Sequence, residues 1–228
     1  MEFSADQISL EQIQNGCLLA IDKPLHWTSF QVVNKVRWML RKAHGLKKIK
    51  VGHCGTLDPL ATGLLLLCIG PYTKKIHEYQ GLEKTYTGAL LLGATTPSYD
   101  LETAIDQYYP WDHVHPKMVQ DCIEKFKGKI FQKPPLFSAL KKEGKRLYEI
   151  ARAGEQVEIE AREVHISDFS VECSLPEISF EVVCSKGTYI RSLAHDMGQE
   201  LGSGAHLIRL RREKIGHYDL ASAYQMPT

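Results

Sequence analysis

The stretch VGHCGTLDPLATGLLLLCIG, residues 51–70, holds the clearest structural and functional signals of the chain. Its second half contains an uninterrupted apolar run, residues 64–69, which predicts a buried strand. Its first half, residues 51–63, is dense in Gly and Thr and contains one Pro, so it predicts a shaped loop. Loops held by rigid neighbours commonly carry function. We therefore expect functional side chains on the loop that leads into this strand.

The segments on either side predict an α+β fold. CLLAID, residues 17–22, predicts a strand, and a helix capped by Thr28 or Ser29 and stopped by Gly45 follows. Strands and helices then mix without a regular βαβ alternation, which favours a mixed, largely antiparallel sheet over a doubly wound parallel one. The later predicted elements are strands at 84–92, 163–169, 178–184 and 214–220, and helices at 116–126, 146–153 and 190–201.

Composition excludes several classes of protein. The 228 residues are 43% hydrophobic and 24% charged, which is typical of a globular chain. The longest apolar run is far too short to cross a bilayer, and MEFSADQ lacks the basic and then apolar start of a signal peptide. The six cysteines form no C-x-x-C pair. We therefore expect a cytoplasmic protein with reduced cysteines, no membrane contact and no metal.

The charge is unevenly distributed along the chain. Residues 35–50 hold seven Lys/Arg and no acid, and residues 125–152 hold nine Lys/Arg against two acids. Each segment carries +7, so a net charge of +1 leaves the remainder at −13. Two basic segments favour a polyanion-binding surface. Solvated helix faces and contact with an anionic membrane surface remain as alternatives. The segment around the two adjacent prolines, residues 128–144, is predicted to be a long basic loop.

Asp58 is the first candidate catalytic residue. Pro59 disfavours the helical conformation at Asp58, and the glycines at 52, 55 and 63 allow a substrate to approach the backbone closely. The alternative is structural: Asp58 caps a short helix that begins at Pro59 and stops at Gly63.

Tyr189 and Arg191 form a second candidate pair, in SKGTYIRSLAHDMG. Two residues apart on extended chain, they point to the same side, and an Arg beside a carboxylate keeps it ionised. The alternative is a surface Tyr with a solvent-facing Arg. Tyr86 in EKTYTG is either a core aromatic or a platform on which a base stacks.

Other catalytic constellations are poorly supported. His53 adjoins Cys54, but adjacent residues lack the spacing of metal ligands, so a metal-assisted hydrolase using His53 and Asp58 is a weak rival. No G-x-S-x-G motif is present, and only one carboxylate is singled out where a glycosidase needs two.

GHCGTLDPLATGLL resembles the catalytic-loop motif of the TruB family of tRNA pseudouridine synthases. The resemblance covers about residues 15–218. Its further motifs, in chain order, are LLAIDKPLHWTSFQVVNKV, KTYTGALLLG, FQKPPLFSALKKEGKRLYEIAR, CSKGTYIRSLAHDMG and GSGAHLIRLRR.

The resemblance implies a pseudouridine synthase fold with a catalytic cleft across the sheet, and a single catalytic domain over residues 1–228. Within it, about residues 125–152 would form an insertion that closes over RNA. The implied activity is isomerisation of uridine 55, in the TΨC arm of tRNA, to pseudouridine without cofactor or metal. The implied partner is the TΨC stem-loop, bound by a monomer that flips the uridine out of its stack. A main rival is an RNA-folding protein with the same fold.

Residue roles follow from the same resemblance. Asp58 is the catalytic aspartate, Arg191 pairs with it, and Tyr189 lies against the base, where its phenol helps to remove the C5 proton. The other residues have implied substrate-binding roles. Tyr86 stacks on the uracil, and His53 contacts the displaced nucleotide or fills the space that this nucleotide leaves. Leu210 forms an apolar pocket wall, and Lys23 places a strand end near the site.

Two features depart from the family pattern. Residues 96–100 read Thr-Pro-Ser-Tyr-Asp where relatives often show Thr-Asp-Thr, so contacts of this loop are in question. Only eight residues follow Leu220, where bacterial relatives usually continue into a PUA-type RNA-binding domain. The sequence therefore predicts that this domain is missing and that RNA affinity is weaker, without loss of chemistry.

Overall fold

A computed structural model of the protein describes residues 1–138, 140–142, 144–153 and 157–227. The chain is α+β, as its sequence predicts. Its helices are α1 (Leu10–Asn15), α2 (Ser29–His44), α3 (Ile76–Gly81), α4 (Pro116–Glu124), α5 (Leu147–Arg152) and α6 (Ile190–Glu200). Its strands are β1 (Cys17–Lys23), β2 (Val51–His53), β3 (Ala61–Ile69), β4 (Lys84–Leu92), β5 (Ala94–Thr95), β6 (Gln107–Tyr108), β7 (Gly128–Gln132), β8 (Lys141–Lys142), β9 (Lys145–Arg146), β10 (Arg162–Ser174), β11 (Glu177–Cys184), β12 (Ala205–Ile215), β13 (Tyr218–Asp219) and β14 (Tyr224–Gln225). Within the described ranges, no helix is long and apolar enough to span a bilayer.

The chain divides into two compact units. The first contains residues 1–86 and the chain from Leu210 onward, and the second contains Thr87–Arg209. Strands β4 and β12 therefore each have residues in both units. The single catalytic domain over residues 1–228 and the insertion over about 125–152 stay predictions.

The first unit is built on a mixed sheet. Strand β1 runs antiparallel to β3 and parallel to β14, and the first residues of β3 run parallel to β12. Strand β2 pairs antiparallel with the last residues of β3, with His53 opposite Leu67. The loop between β2 and β3 therefore lies beside the same strand that it enters.

Both faces of β3 are buried, which explains its continuous apolar run. Leu65, Leu67 and Ile69 pack into a core shared with α2 and β1, whereas Leu64 and Leu66 pack into a separate core on the other face. Alternate residues of a strand point to opposite faces, so a strand covered on both sides needs apolar residues at every position. The predicted strand at 64–69 is confirmed, and pairing with β12 extends it back to Ala61.

Helix α2 begins and ends where its sequence predicts. The Thr28 hydroxyl accepts a hydrogen bond from the backbone N–H of Gln31, and Gly45 adopts a left-handed φ of 63° after the last turn. Val32, Val33, Val36 and Leu40 are its buried apolar residues. This periodicity turns one face of α2 to the core and leaves the opposite face exposed.

In the second unit, the part of β4 from Thr87 onward, β11, β10 and β7 are successive neighbours in a sheet, with β10 antiparallel to both β11 and β7. Strand β7 corrects the predicted loop over 128–144, because Gly128–Gln132 pairs with Arg162–Ile166 of β10. Lys129 and Phe131 of β7 are exposed, so the strand has little apolar pattern of its own and depends on tertiary pairing.

The prediction of a last strand at 214–220 is wrong in its bounds. Strand β12 already begins at Ala205, and the chain then turns at Gly216, which has a φ of 55°. Tyr218–Asp219 returns antiparallel to the end of β12. Arginines interrupt the apolar pattern of β12 and hide its length, and one of these, Arg212, is fully buried.

Candidate active site

Asp58 lies at the start of a tight turn and is partly buried. Its carbonyl accepts a hydrogen bond from the backbone N–H of Ala61 at 3.1 Å, with Pro59 at the second position, which such turns favour. Strand β3 starts at Ala61, so the chain passes from this turn into a strand. The alternative in which Asp58 caps a short helix is therefore wrong.

The start of helix α2 holds the Asp58 turn on its N-terminal side. The Ser29 hydroxyl donates a hydrogen bond to the carbonyl of Leu57 at 3.1 Å and accepts one from the N–H of Leu57 at 2.8 Å. Ser29 is buried, and the N–H of His26 donates to the carbonyl of Pro59 at 2.8 Å. Hydrogen bonds to their main-chain groups thus fix both chain neighbours of Asp58.

Arg212 of β12 holds the rest of the loop. Its guanidinium donates hydrogen bonds to the carbonyls of Gly55 (3.1 Å), Thr56 (3.3 Å) and Leu64 (2.8 Å), and the side chain is buried. Gly63 allows β3 to approach this strand, since a Cβ there would lie 2.3 Å from the carbonyl oxygen of Arg212. Sequence reasoning missed Arg212, although it stands in the quoted motif GSGAHLIRLRR.

Lys23 lies near Asp58 but directs its ammonium inward. The side chain is fully buried, and Nζ donates to the carbonyls of Pro24 at 2.9 Å and Trp27 at 2.6 Å. Burial lowers the pKa of Lys23 to about 8, although the Asp58 carboxylate counteracts this effect. The contacts support the placement of a strand end, and direct substrate binding by Lys23 stays a prediction.

His53 ends β2 and lies just before the loop. Its Nδ1 accepts a long hydrogen bond, 3.4 Å, from the backbone N–H of Gly55. Burial lowers the pKa of His53, and the nearby Arg212 lowers it further, so the imidazole is neutral at pH 7. In the part of the chain that the structure describes, no three His, Cys, Asp or Glu residues come together as a possible metal site.

Leu210 and Tyr86 also belong to the first unit. Leu210 of β12 pairs with Ala61 of β3 in parallel register. Ala61 follows Asp58 by three residues, so Leu210 lies beside the end of the loop. It is partly exposed, and its role as a pocket wall stays a prediction. Tyr86 is 9% exposed, so it packs largely as a core aromatic in this structure. Its stacking role stays a prediction.

Arg191 is buried in the second unit with an acid beside it. Its Nη1 donates to the carbonyls of Ser98 at 3.2 Å and Phe137 at 2.9 Å, and its Nε lies 3.7 Å from Oδ2 of Asp100. The Arg and Asp side chains are only 4% and 7% exposed. The alternative of a solvent-facing Arg191 is wrong. Asp100 belongs to the loop that departs from the family pattern, and its pairing with Arg191 was not foreseen.

Tyr189 is held by its backbone at the start of α6. Gln132, buried at the end of β7, accepts a hydrogen bond from the N–H of Tyr189 at 2.8 Å and donates one to its carbonyl at 3.0 Å. This arrangement fixes the main chain two residues before Arg191. The predicted pairing of Arg191 with Asp58 joins residues of different units and stays a prediction.

The first unit therefore brings four predicted residues to one loop and its borders, namely Lys23, His53, Asp58 and Leu210, and adds Arg212. The second unit brings Tyr189 and Arg191 together and adds Asp100 and Gln132. A carboxylate on a loop held by several hydrogen bonds is suited to nucleophilic or base catalysis, because little reorganisation is needed when it reacts.

Known protein families and relatives match this chain over most of its length. Residues 41–190 match the model for the TruB family pseudouridylate synthase (N terminal domain), and residues 191–228 match the tRNA pseudouridylate synthase B C-terminal domain. The tRNA pseudouridine synthase B of Flavobacterium johnsoniae is 58% identical over 93% of this chain and 94% of its own. That of Phocaeicola vulgatus is 53% identical over 89% and 87%.

Solved structures also resemble this chain. A chain of a Cbf5–Nop10–Gar1 complex matches with a TM-score of 0.69 and 28% identity, over 98% of this chain and 56% of that one. A chain of an H/ACA RNP bound to a substrate RNA containing 2′-deoxyuridine matches with a TM-score of 0.67 and 25% identity, over 98% and 55%. The family match extends over most of the sequence, and the chain belongs to the TruB family of pseudouridylate synthases, which are RNA-modifying isomerases.

Proposed function

We propose that the protein isomerises uridine 55 in the TΨC arm of tRNA to pseudouridine, with Asp58 as the catalytic nucleophile. The observation that carries this proposal is the fixed turn that presents Asp58, which Ser29 holds through Leu57 and Arg212 holds through Thr56 and Leu64. Relatives that are 58% and 53% identical bear the name tRNA pseudouridine synthase B, which supports tRNA as the substrate.

The reaction is a rearrangement within one nucleotide. The bond between N1 of uracil and C1′ of the ribose breaks, the uracil rotates while it is held, and a bond forms between C5 and C1′. C5 then loses its proton and N1 gains one, so no atom or electron is lost overall. An ionised carboxylate can assist this sequence as a nucleophile. The substrate uridine must leave its stack to reach Asp58, and contacts with base and phosphates offset that cost.

The remaining candidate residues have supporting roles in this proposal. Tyr189 contacts the freed base and helps to remove the C5 proton, Arg191 stabilises the Asp58 carboxylate, and Tyr86 stacks on the uracil. His53, neutral at pH 7, contacts the displaced nucleotide, and Leu210 closes the pocket with an apolar wall.

The proposed partner is the TΨC stem-loop of tRNA. The proposed location is the cytoplasm, where the tRNA substrate occurs. We further propose that the protein acts as a monomer, because one chain carries all the candidate residues. Light scattering on the purified protein, alone and with tRNA, measures the molar mass. A dimer with shared residues in its site would contradict this part of the proposal.

The Asp58→Asn variant tests the assignment, with Asp112→Asn as a matched control because Asp112 is an exposed carboxylate of the second unit. The assay measures release of tritium from tRNA that carries 5-tritiated uridine, together with the dissociation constant for tRNA. We expect Asp58→Asn to lower the release rate by about 10⁴-fold or more, with unchanged RNA affinity. Asp112→Asn should behave as the wild type.

Other outcomes identify the rivals. Equal tritium release by Asp58→Asn and wild type would contradict the nucleophile assignment. Tight tRNA binding by the wild type with no release at all would favour an RNA-folding protein. Loss of activity on addition of a chelator, in buffer of matched ionic strength, would favour the metal-assisted hydrolase.

A further inference from the structure

Helix α2 carries an exposed row of side chains spaced four residues apart: Phe30, Asn34, Trp38 and Lys42. Residues with this spacing form one ridge on a helix surface. Phe30 is 61% exposed and Trp38 is 56% exposed, although both are large and apolar. We call these four residues the α2 row.

The fold of the first unit does not require aromatic residues in the α2 row. The helix packs on the core through its opposite face, with Val33 and Leu40 almost completely buried. Scattered exposed apolar residues are ordinary, but two aromatics on one ridge form a possible contact surface. The row therefore carries aromatic side chains that the fold of the first unit does not need.

The charge of α2 indicates what this surface would bind. The helix contains Lys35, Arg37, Arg41 and Lys42 and no acidic residue. Lys42 Nζ lies 5.1 Å from the centroid of the Trp38 ring, so a cation adjoins the exposed aromatic. Aromatic faces next to Lys and Arg, without acids, are the combination that binds single-stranded nucleic acid, because bases stack on the rings and phosphates pair with the cations.

The α2 row begins next to the candidate active site. Ser29 hydrogen-bonds both backbone groups of Leu57, the residue before Asp58, and Phe30 directly follows Ser29. From Phe30 to Lys42 the row extends about 18 Å along the helix. All of these residues belong to the first unit.

We propose that the α2 row is an RNA track that binds the strand next to the nucleotide entering the site. Phe30 and Trp38 stack against bases or riboses of that strand, and Lys42 pairs with a phosphate. This inference rests on the proposed function for the position of the RNA. Stacking is tolerant of sequence, so the track contributes affinity without selecting particular bases.

Three variants test the track: Phe30→Ala, Trp38→Ala and Lys42→Gln. Tyr108→Ala is the matched control for an exposed aromatic, since Tyr108 is 77% exposed, and Lys117→Gln controls for loss of an exposed lysine. Fluorescence anisotropy measures the dissociation constant for tRNA over a range of salt concentrations. All variants are made in the Asp58→Asn protein, which removes turnover from the measurement.

We expect Trp38→Ala to weaken binding about tenfold, with a smaller loss for Phe30→Ala. Lys42→Gln should reduce the slope of log affinity against log salt by about 1, whereas both controls keep wild-type affinity and slope. Thermal midpoints should stay unchanged, because every substituted side chain is exposed.

Unchanged tRNA affinity in both aromatic variants would overturn the inference. The same result is expected if the α2 row binds another protein instead of RNA. A loss of equal size in Tyr108→Ala would also overturn it, because the effect would not be specific to α2. Failure of the Asp58 assignment is detected separately by tritium release, so failure of one proposal can be distinguished from failure of the other.

Discussion

Replacement of Arg212 by Met should destabilise the protein and slow catalysis, because one buried guanidinium holds three carbonyls around the Asp58 loop. A hydrogen bond from a charged donor contributes about 1.5–3 kcal/mol. Met fills similar space, and water can reach part of the loop, so we expect a loss of about 3–5 kcal/mol in the free energy of unfolding. Arg212→Lys keeps the charge but loses the planar fork, and it should lose less.

The matched control is Arg211→Met, at the neighbouring position of β12. Arg211 pairs with Asp22 at 2.7 Å, but its side chain is 37% exposed, so the loss should be about 1 kcal/mol. Urea denaturation measures stability, and single-turnover tritium release with saturating tRNA, well below the unfolding midpoint, measures the chemical step. We expect Arg212→Lys to lower that rate with little change in tRNA affinity. Equal losses of stability for Arg212→Met and Arg211→Met, or a wild-type rate in Arg212→Lys, would refute the role of Arg212 as the clamp of the loop.

Three further predictions concern the same unit. The pKa of Lys23 is about 8 in the folded protein and about 10.4 in an unfolded chain. Between these two pH values the unfolded state binds more protons, so the free energy of unfolding rises with pH, by up to about 3 kcal/mol. Urea titrations from pH 7 to 10 should show this rise in the wild type and a smaller one in Lys23→Met. Tyr86→Leu should lower the single-turnover rate more than tRNA affinity, and an unchanged rate would remove base stacking from the proposal. Gly63→Ala should lower the thermal midpoint strongly, because Gly63 has a φ of 104° and the new methyl group would meet the backbone of Arg212. A midpoint equal to that of the wild type would show that β3 and β12 can move apart.

Local sequence signals predicted the elements whose formation depends on short-range chemistry. Helix α2 has its cap at Thr28 and its stop at Gly45, and the apolar periodicity between them leaves few alternatives. Strand β4 has the predicted bounds, Lys84–Leu92. The family itself was predicted from motifs in order along the chain, and the family models match the same sequence.

The elements that were missed depend on partners distant in sequence. Strand β7 has little apolar pattern and forms because β10 pairs with it. Arg212 and Gln132 are polar residues in strands, and a sequence does not show that each binds main-chain groups far along the chain. Asp100 was noted only as part of an unusual loop, and its ion pair with Arg191 depends on folding of the second unit.

Mass-resolved mapping of pseudouridine in cellular tRNA tests the central claim most directly. The account predicts that cells without this protein lose pseudouridine at position 55 of tRNA, that the wild-type chain restores it, and that Asp58→Asn does not. Pseudouridine at position 55 in cells that lack the protein, or its restoration by Asp58→Asn, would contradict the account.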